Sequence, residues 1–147
     1  SKAVKIYEEG TKFQIGKAVK VKDGTDVTVI AAGTEVAEAI KASEIMKEKG
    51  VSVRVYDMFT IKPLDKEAVL EAAEETGAIV TAENHNIIGG LGSAVAEVLA
   101  ENYPVPLERV GVKDTFGEVG PADWLKERFE LKAEDIAKKI EKVLERK

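Results

Sequence analysis

Among the residues whose types could do chemistry, the most suggestive are a glycine turn and a lone imidazole. Gly89-Gly90-Leu91-Gly92-Ser93 stands directly before an apolar helical pattern, and such a turn can aim bare backbone N–H groups at a phosphate. Its spacing departs from the dinucleotide fingerprint, it follows the third strand pattern instead of the first, and no ribose-binding acid stands about 20 residues later at a strand tip. A tight turn with close helix-to-sheet packing explains the same glycines and is the favoured reading. His85, the only histidine, is flanked by Glu83, Asn84 and Asn86, a setting that allows general acid–base work or a Glu–His contact. Catalysis needs a second group converging from another loop, so a polar residue holding its loop through hydrogen bonds is the better reading. A Glu83–His85 metal pair lacks the i, i+4 spacing of helix-borne ligands and any third candidate. Asp57 and Asp114 fall just beyond strand patterns, where capping or turn formation explains them as well as function does. The candidate ligand loop, secondary to the packing reading, is Gly89, Gly90, Gly92 and Ser93, with Glu83, His85 and Asp114 as candidate polar residues; no catalytic or metal-binding residue is expected.

Positioning these residues falls to a recurring strand-then-helix pattern. Val27-Thr28-Val29-Ile30-Ala31-Ala32, bounded by Gly24 and Gly33, is a β-branched apolar run suited to a strand covered on both faces. Thr34 can cap a helix that carries Glu35 and Glu38 in its first turn, Lys47 and Lys49 near its end, and Gly50 as its stop. A second strand over 51–56 leads through a loop to an Asp65-capped helix ending at Gly77. A third strand over 78–82, a loop over 83–88 and a helix opening at the glycine turn follow, then a fourth strand over 107–112. Pro121 suits a short helix through Trp124 and Leu125, Trp124 and Phe129 read as an apolar anchor, and Ile136, Ile140, Val143 and Leu144 form the stripe of a final helix over 133–146. Residues 1–24 show no sustained period and read as a lead-in arm with a short hairpin around Lys22-Asp23-Gly24.

Strands alternating with helices demand crossover connections, and these build a parallel sheet with helices on its faces. The expected fold class is α/β: a three-layer, doubly wound, mostly parallel, Rossmann-like sheet. Ligands in such sheets bind outside the carboxyl ends of the strands, which selects the loops beginning at Gly33, Asp57, Glu83 and Lys113.

At 147 residues, with 44% hydrophobic and 33% charged side chains, the chain has the size and composition of one compact domain. A net charge of -5 argues against nucleic acid or an anionic membrane surface as partner. The absence of cysteine removes disulfides and thiolate metal sites. No run approaches the roughly 20 apolar residues that span a bilayer, and the start SKAVKIYEEG lacks a secretory pattern, so the cytoplasm is the expected compartment.

Three stretches taken in order are more specific than any one of them. Ile30-Ala31-Ala32-Gly33-Thr34-Glu35-Val36, then Asp57-Met58-Phe59-Thr60-Ile61-Lys62-Pro63-Leu64-Asp65, then the run from Glu83 through the glycine turn to Glu97 resemble the C-terminal domain of transketolases. Asp114-Thr115-Phe116-Gly117-Glu118-Val119-Gly120 and the closing helix extend the likeness to transketolases of the split, two-subunit kind. Deoxyxylulose-phosphate synthase and the β subunit of 2-oxoacid dehydrogenase E1 carry related domains and are the competing readings within the superfamily. The resemblance implies an enzyme that binds thiamine diphosphate and magnesium between a pyrophosphate-binding and a pyrimidine-binding domain and works as a homodimer. Neither cofactor is expected on this chain, which lacks the motifs of both domains. Residues 1–24 resemble the segment leaving the pyrimidine-binding domain, so the chain divides into that arm and a C-terminal domain over 25–147, as part of a longer polypeptide. The implied role is assembly and dimer support, inactive in isolation. A regulatory nucleotide or phosphate-ligand domain is the alternative from another class, and an independent dehydrogenase is disfavoured by the missing fingerprint.

Overall fold

The structure, a computed structural model, describes residues 14–86, 90–112 and 132–147, with the side chains of His85, Asn86 and Val112 outside the described set. Its elements are β1 (Val19–Lys22), β2 (Val27–Ala31), α1 (Glu35–Glu48), β3 (Val53–Asp57), α2 (Lys66–Thr76), β4 (Ile79–Asn86), α3 (Leu91–Asn102), β5 (Leu107–Val112) and α4 (Ala133–Glu145). The strands form one sheet in the order β1-β3-β2-β4-β5. All neighbours are parallel except β1, which runs antiparallel to β3.

The centre of the sheet is apolar because every residue of β2 and β3 is buried, as a strand covered on both sides requires. Val27, Val29, Val55 and Val80 point to one face, where they meet Val36, Ala39 and Met46 of α1 and Ile136, Ile140 and Val143 of α4. Ile30, Tyr56 and Ile79 point to the other, against Val69, Ala72 and Ala73 of α2 and Leu91, Val95 and Leu99 of α3. Local chemistry sets the helix ends. Asp65 accepts the Ala68 N–H at 3.1 Å to open α2, and Gly77 closes it at φ +73° with its N–H on the Ala73 carbonyl.

Four expectations change. The turn at Lys22-Asp23-Gly24 joins no hairpin, because β3 lies between β1 and β2. Val19 and Val21 alternate with Lys20 and Lys22 in a half-buried edge strand of only 4 residues, too short to show a period. Its register pairs Val19 with Asp57 and Lys20 with Tyr56, so Asp57 is the last residue of β3 and does not lie beyond it. Thr34 makes no side-chain cap, since its hydroxyl accepts a hydrogen bond from Asn84 instead. Glu83 to Asn86 belong to β4 and not to a loop, because Asn86 pairs with Val112 across an irregularity that follows Ala82. The short helix expected after Pro121 and the Trp124–Phe129 anchor lie outside the described residues.

The arm is tied down along its described length. The Gly16 N–H donates to Thr60 Oγ1 at 3.0 Å, and the Ala18 N–H to Asp65 Oδ2 at 2.8 Å. At Gly24, a Cβ would stand 2.3 Å from the Val53 carbonyl carbon, so only glycine permits this approach. The buried Arg54 guanidinium closes the seam, donating to the Gly24 carbonyl at 3.1 Å and pairing with Asp23 at 3.3 Å and Glu75 at 2.7 Å.

Candidate functional site

From β2 the chain crosses through α1 to β3 on one side, whereas β4 and then β5 lie on the other. The carboxyl ends of β2 and β4 therefore flank the reversal in strand order, the place where wound sheets open a crevice. After β2, Gly33 takes φ +64°, and a hydrogen bond from Asn84 Nδ2 to Thr34 Oγ1 at 3.2 Å ties the two strand ends together.

The alternation of β4 directs Thr81 and Glu83 toward α3. Glu83 is only 2% exposed, and its Oε2 accepts the Gly92 N–H at 2.9 Å. That amide belongs to the second residue of α3, in the turn that has no carbonyl partner of its own inside the helix. Gly90 is the N-cap, and its carbonyl accepts the Ala94 N–H. A Cβ on Gly92 would stand 2.9 Å from Arg109 Cδ and 3.1 Å from Thr81 Oγ1, so glycine lets helix and sheet side chains meet closely here without the Arg109 side chain shifting. Arg109 comes from β5, opposite Thr81, and its Nη1 donates to Ser93 Oγ at 3.4 Å.

Of the expected site residues, the structure thus brings Glu83, Gly92 and Ser93 into one cluster with Gly90 at its edge. His85 lies two positions beyond Glu83 on β4, with its side chain outside the described set, and Gly89 and Asp114 lie outside the described residues. Sequence reasoning did not find Arg109, which gives no signal in a strand of mixed composition. Glu35 and Glu38 read as ordinary first-turn acids of α1. The structure buries Glu35 completely and gives Glu38 a tertiary bond, accepting the Ala133 N–H at the start of α4 at 3.2 Å.

Fold and cluster define a doubly wound α/β domain in which Glu83 bonds Gly92 and Arg109 bonds Ser93 near the carboxyl end of β4. Residues 16–136 match the family model described as transketolase, C-terminal domain, and the chain belongs to that family. It is 53% identical, over 99% of its length and 45% of the relative's, to a 6-deoxy-6-sulfo-D-fructose transketolase subunit of a Clostridium species. It is also 43% identical, over 87% of its length and 20% of the relative's, to the 1-deoxy-D-xylulose-5-phosphate synthase of Parabacteroides distasonis. Among solved structures, a split-gene transketolase described as an inactive beta4 tetramer superposes with a TM-score of 0.96 at 44% identity, covering all of this chain and 48% of the other. The chain therefore spans less than half the length of these relatives.

Among the described residues no group of three or more His, Cys, Asp or Glu is placed to hold a metal ion. No described helix is long and apolar enough to cross a membrane.

Proposed function

We propose that this chain is the C-terminal assembly domain of a split-type transketolase. The complete enzyme uses thiamine diphosphate and magnesium, held by pyrophosphate-binding and pyrimidine-binding domains, to move two-carbon ketol units between sugar phosphates. This chain supplies packing and support for the homodimer. The observation that carries the proposal is the match over 99% of the chain to 45% of a transketolase subunit. A wound sheet in which Glu83 and Arg109 are bonded to the start of α3 suits a support role better than a reacting one.

Complementation tests it. The purified chain, given thiamine diphosphate, magnesium, a ketose-phosphate donor and an aldose-phosphate acceptor, is expected to show no transfer. Addition of the polypeptide bearing the pyrophosphate- and pyrimidine-binding domains of the same enzyme should give transfer that depends on the dose of this chain. Transfer by this chain alone, or undiminished transfer without it, overturns the assignment.

A further inference from the structure

We infer that Glu83 is the resident anion at the N-terminus of α3: its carboxylate takes the place on the Gly92 amide that a phosphate takes in ligand-binding wound sheets, and so closes that amide to phosphate ligands. The argument starts from the amide. The first turn of a helix presents N–H groups without intrahelical partners and a partial positive charge, which together draw an anion. Here the Gly92 N–H already donates to Glu83 Oε2 at 2.9 Å, a hydrogen bond strengthened by the charge of the acceptor. Burial makes the arrangement reciprocal, because a carboxylate that is 2% exposed needs compensation where it sits.

Occupancy supports the same conclusion. With its N–H already directed at Glu83 Oε2, the Gly92 amide could meet a phosphate only by releasing the carboxylate. The Ser93 hydroxyl and the Arg109 guanidinium, which a phosphate would also recruit, face each other at 3.4 Å. Amide, hydroxyl and cation are thus engaged within the protein. The inference is independent of the transketolase assignment, since it concerns only what α3 accepts at its N-terminus.

Thermal denaturation of the 147-residue chain, at constant ionic strength in chloride, provides the test. The unaltered protein should keep its Tm as inorganic phosphate is raised. Glu83→Ala should lower Tm by about 5–10 °C, and sodium formate, small enough to occupy the vacated position, should recover at least half of that loss in a saturable way. A saturable rise of the unaltered protein's Tm with phosphate overturns the inference, as does a Glu83→Ala protein that formate lifts no more than it lifts the parent. Should Glu83→Ala fail to fold, Glu83→Gln keeps an acceptor oxygen but removes its charge. The Gly92 amide proton should then move upfield in the NMR spectrum, and an unchanged resonance would reject the resident-anion role.

Discussion

The two faces of the sheet are held by different physics. On the α1/α4 face the interior is mainly aliphatic and small, with Val29, Val55, Met46, Ile136 and Ile140 packed together; Glu38 bonds the Ala133 N–H where the two helices meet, and a cluster of ion pairs lines the rim. There Glu108 of β5 gathers Lys139 and Lys142 of α4 and Arg146 just after it. On the α2/α3 face directional bonds lie inside: Thr28 Oγ1 meets Thr76 Oγ1 at 2.8 Å, and Glu83, Asp65 and Arg54 are buried with named partners. Hydrophobic burial is non-directional, so the first face supplies cohesion, whereas hydrogen bonds set position, so the second face fixes the geometry of the crevice and of the arm.

The largest expected effect follows from volume loss on the first face. Ile140→Ala, at a fully buried position, should cost about 2–5 kcal/mol, read as a lower urea midpoint with unchanged slope. A cost comparable to that of a surface substitution would break the contrast between the faces. Next comes overpacking on the second face, where Gly92→Ala must shift the Arg109 side chain and press on Thr81 at about 1–3 kcal/mol. A neutral result there would mean that the Arg109 side chain yields freely and does not fix the contact of α3 with the sheet. Of similar size is the effect at Asp65, whose two oxygens serve two elements, α2 through Ala68 and the arm through Ala18. Asp65→Ala should cost about 2 kcal/mol, while Asp65→Asn keeps a cap oxygen and loses an acceptor for the arm. Amide exchange should therefore quicken at Ala18 and stay slow at Ala68 in the Asn variant.

The same contrast explains what the sequence made legible. Elements of the first face announce themselves by period: the β-branched run of β2 and the stripe Ile136, Ile140, Val143 of α4 signal both type and burial. The Asp65 cap and Gly77 stop were readable because their chemistry is local. The second face hides its key contacts, since Glu83 and Arg109 are polar residues whose meaning depends on partners 9 and 16 positions away, Gly92 and Ser93. The end of β4 was missed for the same reason, because Glu-Asn-His-Asn has no strand-like composition and is held by pairing with β5. Glycine at 92 reads from the sequence as a packing residue, and a Cβ there would meet Arg109 and Thr81, but the carboxylate that meets its amide reads as part of a loop. The edge strand β1 was too short for periodicity to declare it.

Tyr56 offers a pH-dependent probe of the second face. Burial first, then the charge of Glu71, raises its phenol above the ordinary value of 10.0, although Arg54 opposes the shift. A group whose folded value is raised contributes stability that is complete below the unfolded value and is lost as pH rises through the folded one. Unaltered protein should therefore lose Tm in the alkaline range above 10.0, and Tyr56→Phe should lose less there. Tyrosinate absorbance should show one late-ionising component that the variant lacks.

The rim of the first face should give the smallest effect of all. Lys142 is 59% exposed and lies 3.6 Å from Glu108, which Lys139 and Arg146 also approach. A solvated cation in a shared cluster leaves the carboxylate paired when it is removed, and salt screens what remains. Lys142→Ala should cost at most about 1 kcal/mol at low salt and less as salt is raised, measured by urea titration at two ionic strengths. A cost approaching that of Ile140→Ala, unmoved by salt, would show that α4 is held on the sheet by charge and not by its apolar stripe, and would remove the distinction between the two faces.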